Sequence, residues 1–128
     1  MREIDYSCYA GSSVFLSTPS DLVRFGLAIN AGTLLQPATV QSLQTAQRLT
    51  SGQETGYGLG WDVDTVNFAG YPTQVAGHDG ELLGKRVMSL MMFREAGIVV
   101  AVMSNLSNAN TSEVALKVAE AFAQPVRK

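Results

Sequence analysis

The sequence contains a single cysteine, Cys8, and a single histidine, His78, among its 128 residues. One cysteine excludes an intrachain disulfide and the zinc sites that are built from several cysteines. We expect Cys8 to be a structural thiol. The sequence accordingly predicts no metal site and no other cofactor.

Long apolar runs are also missing. The longest one, from Ile98 to Met103, is far too short to cross a bilayer. The residues that follow Met1 lack the apolar core of a signal peptide. The sequence therefore predicts a cytoplasmic chain without membrane association.

Neither sign of charge is in large excess. Nine basic and eleven acidic residues give a net charge of −2, and the basic residues are scattered along the chain. Nucleic acid binding needs a basic surface, often interleaved with aromatic residues, that contacts phosphates. We therefore expect no nucleic acid partner.

What the sequence does contain is the composition of a compact domain, with 46% apolar and 16% charged residues. A single domain over residues 1–128 is long enough to bury a core, and we expect Trp61 to contribute to it. The methionines at 88, 91, 92 and 103 are expected to pack in the core, with a binding surface, buried in a homodimer, as the alternative. Periodicity and turn residues predict an α+β fold, with an antiparallel sheet of three to four strands flanked by helices. The expected elements are helices over 19–30 and 37–48, a strand over 57–65, a turn over 67–72, a short strand over 74–77, a hairpin of strands 86–93 and 98–104, and a helix that follows the capping segment 108–113 and ends before Pro125.

His78 lies in the segment Gly77-His78-Asp79-Gly80, and histidine is the most common general acid or base near neutral pH. The alternative is a strand-end or turn residue whose ring is hydrogen-bonded, which is more frequent beside glycines. A metal site at His78, Asp79 and Glu81 is disfavoured, because in an extended chain the two carboxylates point away from the histidine. The pattern Gly-x-Ser-x-Gly is absent, and the glycines at 56, 58 and 60 precede a strand. Both facts argue against a nucleophile elbow and a dinucleotide-binding loop.

Four segments occur in an informative order along the chain. They are Phe15-Leu16-Ser17-Thr18-Pro19-Ser20-Asp21-Leu22-Val23-Arg24-Phe25-Gly26, Tyr57-Gly58-Leu59-Gly60-Trp61, His78-Asp79-Gly80, and the hairpin with Ser104-Asn105 before the last helix. Together they resemble the C-terminal part of the serine beta-lactamase and penicillin-binding-protein superfamily, in particular its class C, esterase and LACTB-like branch. The resemblance implies a partial beta-lactamase fold and the hydrolysis of a beta-lactam, a D-alanyl peptide or an ester in the intact enzyme.

The resemblance also assigns site residues. His78 takes the first position of the family's third motif, which orients the substrate, and the Glu81 N–H takes the position that completes the oxyanion hole. Asp79, Gly80 and Tyr57 belong to the same substrate-binding wall. The nucleophile motif Ser-x-x-Lys and the motif Tyr-x-Asn are absent; Tyr6-Ser7-Cys8 has only the outline of the latter. We therefore expect a fragment of a serine hydrolase that is inactive alone, whereas intact members of the family are often exported.

In the family, the strand that corresponds to Ile98 to Met103 pairs with a strand from the beginning of the chain. An apolar strand with an unpaired edge favours association. We expect a homodimer through this strand, or pairing with a missing N-terminal half or with the segment from Arg2 to Tyr9. The alternatives to a hydrolase fragment are a self-associating module without catalysis and a small-ligand binder.

Overall fold

The computed structural model describes Ser7, Gly11 and residues 15–82 and 86–123; Cys8, Tyr6 and most of the expected N-terminal pairing segment lie outside these residues. Three helices and one sheet of four antiparallel strands confirm the α+β prediction. The elements are α1 (Pro19–Asn30), α2 (Pro37–Leu43), β1 (Asp62–Phe68), β2 (Tyr71–Leu82), β3 (Arg86–Phe93), β4 (Ile98–Ser104) and α3 (Thr111–Phe122). Within the described ranges, no helix is long and apolar enough to cross a membrane.

Helix α1 begins and ends where local signals place it. The Thr18 hydroxyl accepts from the Asp21 N–H (3.2 Å) and donates to the Asp21 carboxylate (2.8 Å), and Pro19 occupies the first turn, where no N–H is needed. The helix ends before Gly32, whose φ of +69° suits a glycine. The predicted bounds 19–30 are confirmed.

Helix α2 is shorter than predicted, because it ends at Leu43 and not near Arg48. Beyond it the backbone pairs with a later segment: the Gln47 N–H donates to the Tyr57 carbonyl (2.8 Å), and the Leu59 N–H donates to the Leu43 carbonyl (2.8 Å). These long-range hydrogen bonds replace the helical ones. A helix pattern read from residues 44–48 alone cannot reveal this competition.

The strand that was predicted from Tyr57 begins only at Asp62. Glycines at 56 and 60 have φ of +68° and +85°, so the segment between them turns and does not extend. The predicted turn over 67–72 is likewise too long. Only Ala69 (φ 50°) and Gly70 (φ +88°) lie between β1 and β2, as in a two-residue hairpin with positive φ at both positions.

Strand β2 is much longer than the predicted 74–77 and extends without a break through His78 to Leu82. The hairpin of β3 and β4 has the predicted bounds, with Phe93 paired to Ile98 across the turn. The strands lie in the order β1-β2-β3-β4. His78 is therefore a mid-strand residue, which corrects the view of it as a strand-end or turn residue.

The sheet has a core on each face. Helix α1 packs on β3 and β4 from one side, and α3 packs on the same two strands. Adjacent strand residues alternate between the faces, so Met92 belongs to the first core and Phe93, fully buried, to the second. The first core contains Ile29, Val40, Trp61, Ala76, Leu90 and Met92, and the second contains Phe68, Val75, Phe93, Val100, Ala115 and Ala119.

Trp61 is 9% exposed, which confirms its predicted place in the core. The methionines divide between the core and the surface. Met92 is buried, which fits core packing, but Met103 on β4 is 38% exposed and does not pack in the core of this chain.

Candidate functional site

Strand β2 extends beyond the end of β1. Its pairing with β1 stops at Gly77, which faces Asp62, whereas residues from His78 to Leu82 pair only with β3. Among the described residues, no strand covers the other edge of this stretch. All four predicted motif residues, His78, Asp79, Gly80 and Glu81, lie on it.

The register shows which backbone groups face this open edge. Pro72 has no N–H to give to β1, and the Val63 N–H, opposite Ala76, donates away from β2 to the Gly56 carbonyl (2.8 Å). Since hydrogen-bonded and non-hydrogen-bonded pairs alternate, the odd-numbered residues of β2 direct their N–H and C=O groups towards the β1 side. Asp79 and Glu81 therefore present their backbone polar groups at the edge that β1 leaves open.

The His78 ring is held at both nitrogens. Nδ1 lies 2.6 Å from the carbonyl oxygen of Asp79, and Nε2 lies 3.1 Å from the hydroxyl of Tyr57. A carbonyl only accepts, so the hydrogen-bond network assigns the proton to Nδ1, and Nε2 of the neutral ring accepts from the Tyr57 O–H. The two rings also meet edge to face, with centroids 5.9 Å apart and planes at 81°.

Tyr57 reaches His78 because its loop is fixed by backbone contacts. The Thr55 hydroxyl accepts from the Tyr57 N–H (3.1 Å), and the Tyr57 carbonyl accepts from the Gln47 N–H. The next residue, Gly58, has no room for a side chain, since a Cβ there would lie 2.1 Å from the Leu43 carbonyl oxygen. The loop thus packs on the end of α2, and the tyrosine side chain remains 38% exposed beside β2.

Asp79 lies on the opposite face of the sheet from His78, and its carboxylate accepts from the Ser112 hydroxyl at the start of α3 (2.5 Å). On the same face, the hydroxyls of Ser89 and Thr111 form a buried hydrogen bond (2.6 Å). A carboxylate is favourable beside a helix N-terminus. These contacts anchor α3 on the strands that carry the candidate site.

The structure therefore brings two of the predicted residues together and separates others. Tyr57 and His78 are in contact, whereas the side chains of Asp79 and Glu81 lie on the α3 face, as expected for alternate strand positions. Sequence reasoning missed Ser112. The capping cluster that contains it was visible, but no local signal relates it to Asp79, which is 33 residues away.

An open depression of about 480 Å³ lies under α3, next to the end of β1. Its wall includes Asp62, Asp64, Gly77, His78, Asp79 and Ser112. Within the described part of the chain, no group of three or more histidine, cysteine, aspartate or glutamate side chains could hold a metal ion.

A comparison with protein families places this geometry in a known context. The family model described as Beta-lactamase matches residues 4–124. The chain belongs to the beta-lactamase family. The match supports a serine-hydrolase type of family and covers the strand with His78, the hairpin and α3. A search of the curated proteins finds no match.

Two sequence motifs that the resemblance implies for the family, Ser-x-x-Lys and Tyr-x-Asn, do not occur in these 128 residues. The nucleophile of such a hydrolase is the serine of Ser-x-x-Lys. In this structure the open edge of β2 lies beside the Tyr57–His78 contact.

Proposed function

We propose that residues 1–128 form one unit that corresponds to the C-terminal portion of a beta-lactamase-like serine hydrolase and supplies its substrate-binding wall. The observation that carries the proposal is the open edge of β2 from His78 to Leu82, next to the Tyr57–His78 hydrogen bond. In the hydrolysis of a beta-lactam, a D-alanyl peptide or an ester, the substrate carbonyl becomes an oxyanion. The backbone N–H groups at the open edge of β2 are suited to hold this oxyanion.

The backbone direction of Glu81 supports its role as an oxyanion donor. Its N–H faces the open edge by the alternation described above, so it is free to donate to a carbonyl oxygen that docks there. The carboxylate of the preceding Asp79 does not compete, because it lies on the other face and accepts from Ser112. Gly80, between Asp79 and Glu81 in sequence, adds no side chain to the face that carries His78.

The Tyr57–His78 pair supports recognition of a polar substrate group. Tyr57 has one hydroxyl proton, which the neutral His78 ring accepts, and the Nδ1–H of the ring donates to the Asp79 carbonyl. The Tyr57 oxygen keeps a lone pair, so the pair can accept a hydrogen bond from a substrate N–H or O–H at the edge of β2. Its action on a substrate is binding and orientation, because the nucleophile is missing.

Without a nucleophile, the remaining groups give at best a small part of the catalysis of a complete site. We expect the 128-residue chain to bind such substrates weakly and to hydrolyse none of them. Saturable hydrolysis of a penicillin or an ester by the purified chain, lost in His78→Ala, would contradict the proposed inactivity.

The binding wall can be tested by ¹H–¹⁵N NMR titration with a penicillin, an acyl-D-alanyl-D-alanine peptide and a short ester. We expect shifts at Glu81, His78 and Tyr57, which Tyr57→Phe weakens. Tyr71→Phe is the matched control, because Tyr71 is also an exposed tyrosine but has no contact with His78 among the described interactions. Shifts that are absent, or that both variants reduce equally, would argue against the wall.

A second candidate function is self-association through β4. This strand pairs with β3 on one side, and no described residue pairs with its other edge. Met103 is exposed on it. We propose that a second copy, or an N-terminal half supplied separately, pairs along Ile98 to Met103.

Light scattering at tens of micromolar distinguishes these states. A dimer that Met103→Lys dissociates and Met103→Leu preserves would support the β4 interface, because a charge at an open edge opposes strand pairing. A monomer at this concentration would eliminate the homodimer. A dimer that persists in Met103→Lys would show that the interface does not involve β4.

A further inference from the structure

The depression under α3 adjoins the open edge of β2, and its wall carries negative charge. Asp64 on β1 pairs with Val75, which belongs to the core beneath α3. Paired strand residues share a face of the sheet, and so do residues two positions apart, so Asp62 and Asp64 both lie on the α3 side. Both line the depression of about 480 Å³ together with Asp79.

No cation of the described residues balances this charge. The described residues that line the depression include neither lysine nor arginine. Within residues 15–82 and 86–123, Asp62, Asp64 and Asp79 form no ion pair. The one basic residue of α3, Lys117, is paired with Glu113 (2.5 Å). The N-terminus of α3 already has the carboxylates of Asp79 and Glu113 beside it, so its dipole does not offset the excess of negative charge.

The three carboxylates of the depression are close enough to act on one bound group. Gly77 lies opposite Asp62, so Asp79 is the diagonal neighbour of Asp62, and Asp64 follows Asp62 by two strand residues. Both relations separate the Cβ atoms by about 7 Å. The Debye length is about 10 Å at an ionic strength of about 0.1 M, so a group in the depression interacts with all three charges. A cleft that is lined by one sign of charge also concentrates its field.

This charge distinguishes between the substrates considered above. A penicillin and a D-alanyl peptide carry a free carboxylate, whereas a simple ester carries none. We propose that the site selects an ester without a carboxylate, because Asp62, Asp64 and Asp79 repel an anionic group beside the carbonyl that docks at the open edge of β2. This inference rests on the binding wall proposed above and assigns its substrate class.

The test is a ¹H–¹⁵N NMR titration of the full chain at pH 7 with two probes of equal size, the phenylacetyl esters of glycolamide and of glycolate. The two probes differ only in an amide or a carboxylate. At low salt we expect the glycolamide ester to bind about threefold to tenfold more tightly, as estimated for exposed charges at this distance. Added salt should reduce this ratio, because it screens the repulsion.

The double variant Asp62→Asn/Asp64→Asn removes two of the charges at nearly constant size. Both side chains are exposed, and an asparagine at position 64 keeps an oxygen that accepts from the Thr65 N–H. We expect the affinity ratio of the two esters to fall towards one. The matched control is Glu95→Gln/Glu120→Gln, which removes two exposed charges outside the depression and should leave the ratio nearly unchanged.

The outcomes separate this inference from the proposed function. Shifts at Glu81 and His78 with equal affinity for both probes would overturn the inference and leave the binding wall in place. Shifts with neither probe would overturn both. Tighter binding of the glycolate ester would overturn the assigned substrate class, and equal changes in the two double variants would overturn the role of Asp62 and Asp64.

Discussion

The hydroxyl of Tyr57 lies 3.1 Å from Nε2 of His78, although the two residues belong to a loop and a strand that are 21 positions apart. The other ring nitrogen is held by the carbonyl of Asp79. This arrangement orients the only imidazole of the chain at the open edge of β2. It also fixes the Nδ1–H tautomer of the neutral ring.

Tyr57→Phe should remove the Nε2 contact without changing the tautomer, because the Asp79 carbonyl still accepts from Nδ1. The contact is exposed, so we expect a stability loss of at most about 1 kcal/mol. Long-range ¹H–¹⁵N spectra of the ring should show Nδ1 protonated in both proteins and a shift at Nε2 only. A ring protonated at Nε2 in the parent chain would contradict the assignment.

Gly58→Ala should destabilise the chain by more than about 2 kcal/mol, because the new Cβ meets the backbone carbonyl of Leu43. Gly52→Ala is the control: its site is open, so only the positive φ of +87° opposes the side chain, at about 1 kcal/mol. Urea denaturation measures both losses. Equal losses would show that the contact of Gly58 with Leu43 does not restrict the loop.

Ser89→Ala should cost about 1–3 kcal/mol, because it leaves the buried Thr111 hydroxyl without its partner. Adding Thr111→Val removes that unpaired hydroxyl at nearly constant shape. We therefore expect the double variant to lose less stability than the sum of the two single variants. Strict additivity in urea denaturation would indicate that the two hydroxyls are not coupled.

Glu113 and Lys117 form an exposed pair on α3, with the ammonium donating to the carboxylate (2.5 Å). The hydrogen bond from Lys117, followed by its charge, lowers the pKa of Glu113. The hydrogen bond to Glu113, followed by its charge, raises the pKa of Lys117. The Glu113 contribution to stability is therefore present above the ordinary glutamate pKa and lost as the pH falls through the lowered value. The Lys117 contribution is present below the ordinary lysine pKa and lost as the pH rises through the raised one.

Lys117→Gln should return the pKa of Glu113 towards its ordinary value. A ¹³C NMR titration of the Glu113 carboxyl measures this change, and added salt should reduce the difference between the two proteins. Arg24→Gln, which removes an equal charge from α1, should leave the Glu113 titration unchanged.

Several elements were predictable because their causes are local. Thr18 bonds Asp21 three residues later, Asn110 likewise accepts from the Glu113 N–H, and the hairpin of β3 and β4 follows from two apolar segments joined by the four residues 94–97. The family resemblance, carried by short segments in order, was confirmed by the family model. The two helix caps and the hairpin are formed by residues that are close in sequence.

The sequence by itself determined the α+β class, the start and end of α1, the bounds of the hairpin, and the presence of a single histidine in a recognisable motif. Only the tertiary structure decided that α2 stops at Leu43, that β2 continues through His78, that Tyr57 contacts this histidine and that Asp79 bonds Ser112. The reason is physical: periodicity reports which face of an element is apolar. It does not report which distant backbone group or hydroxyl competes for the same hydrogen bond.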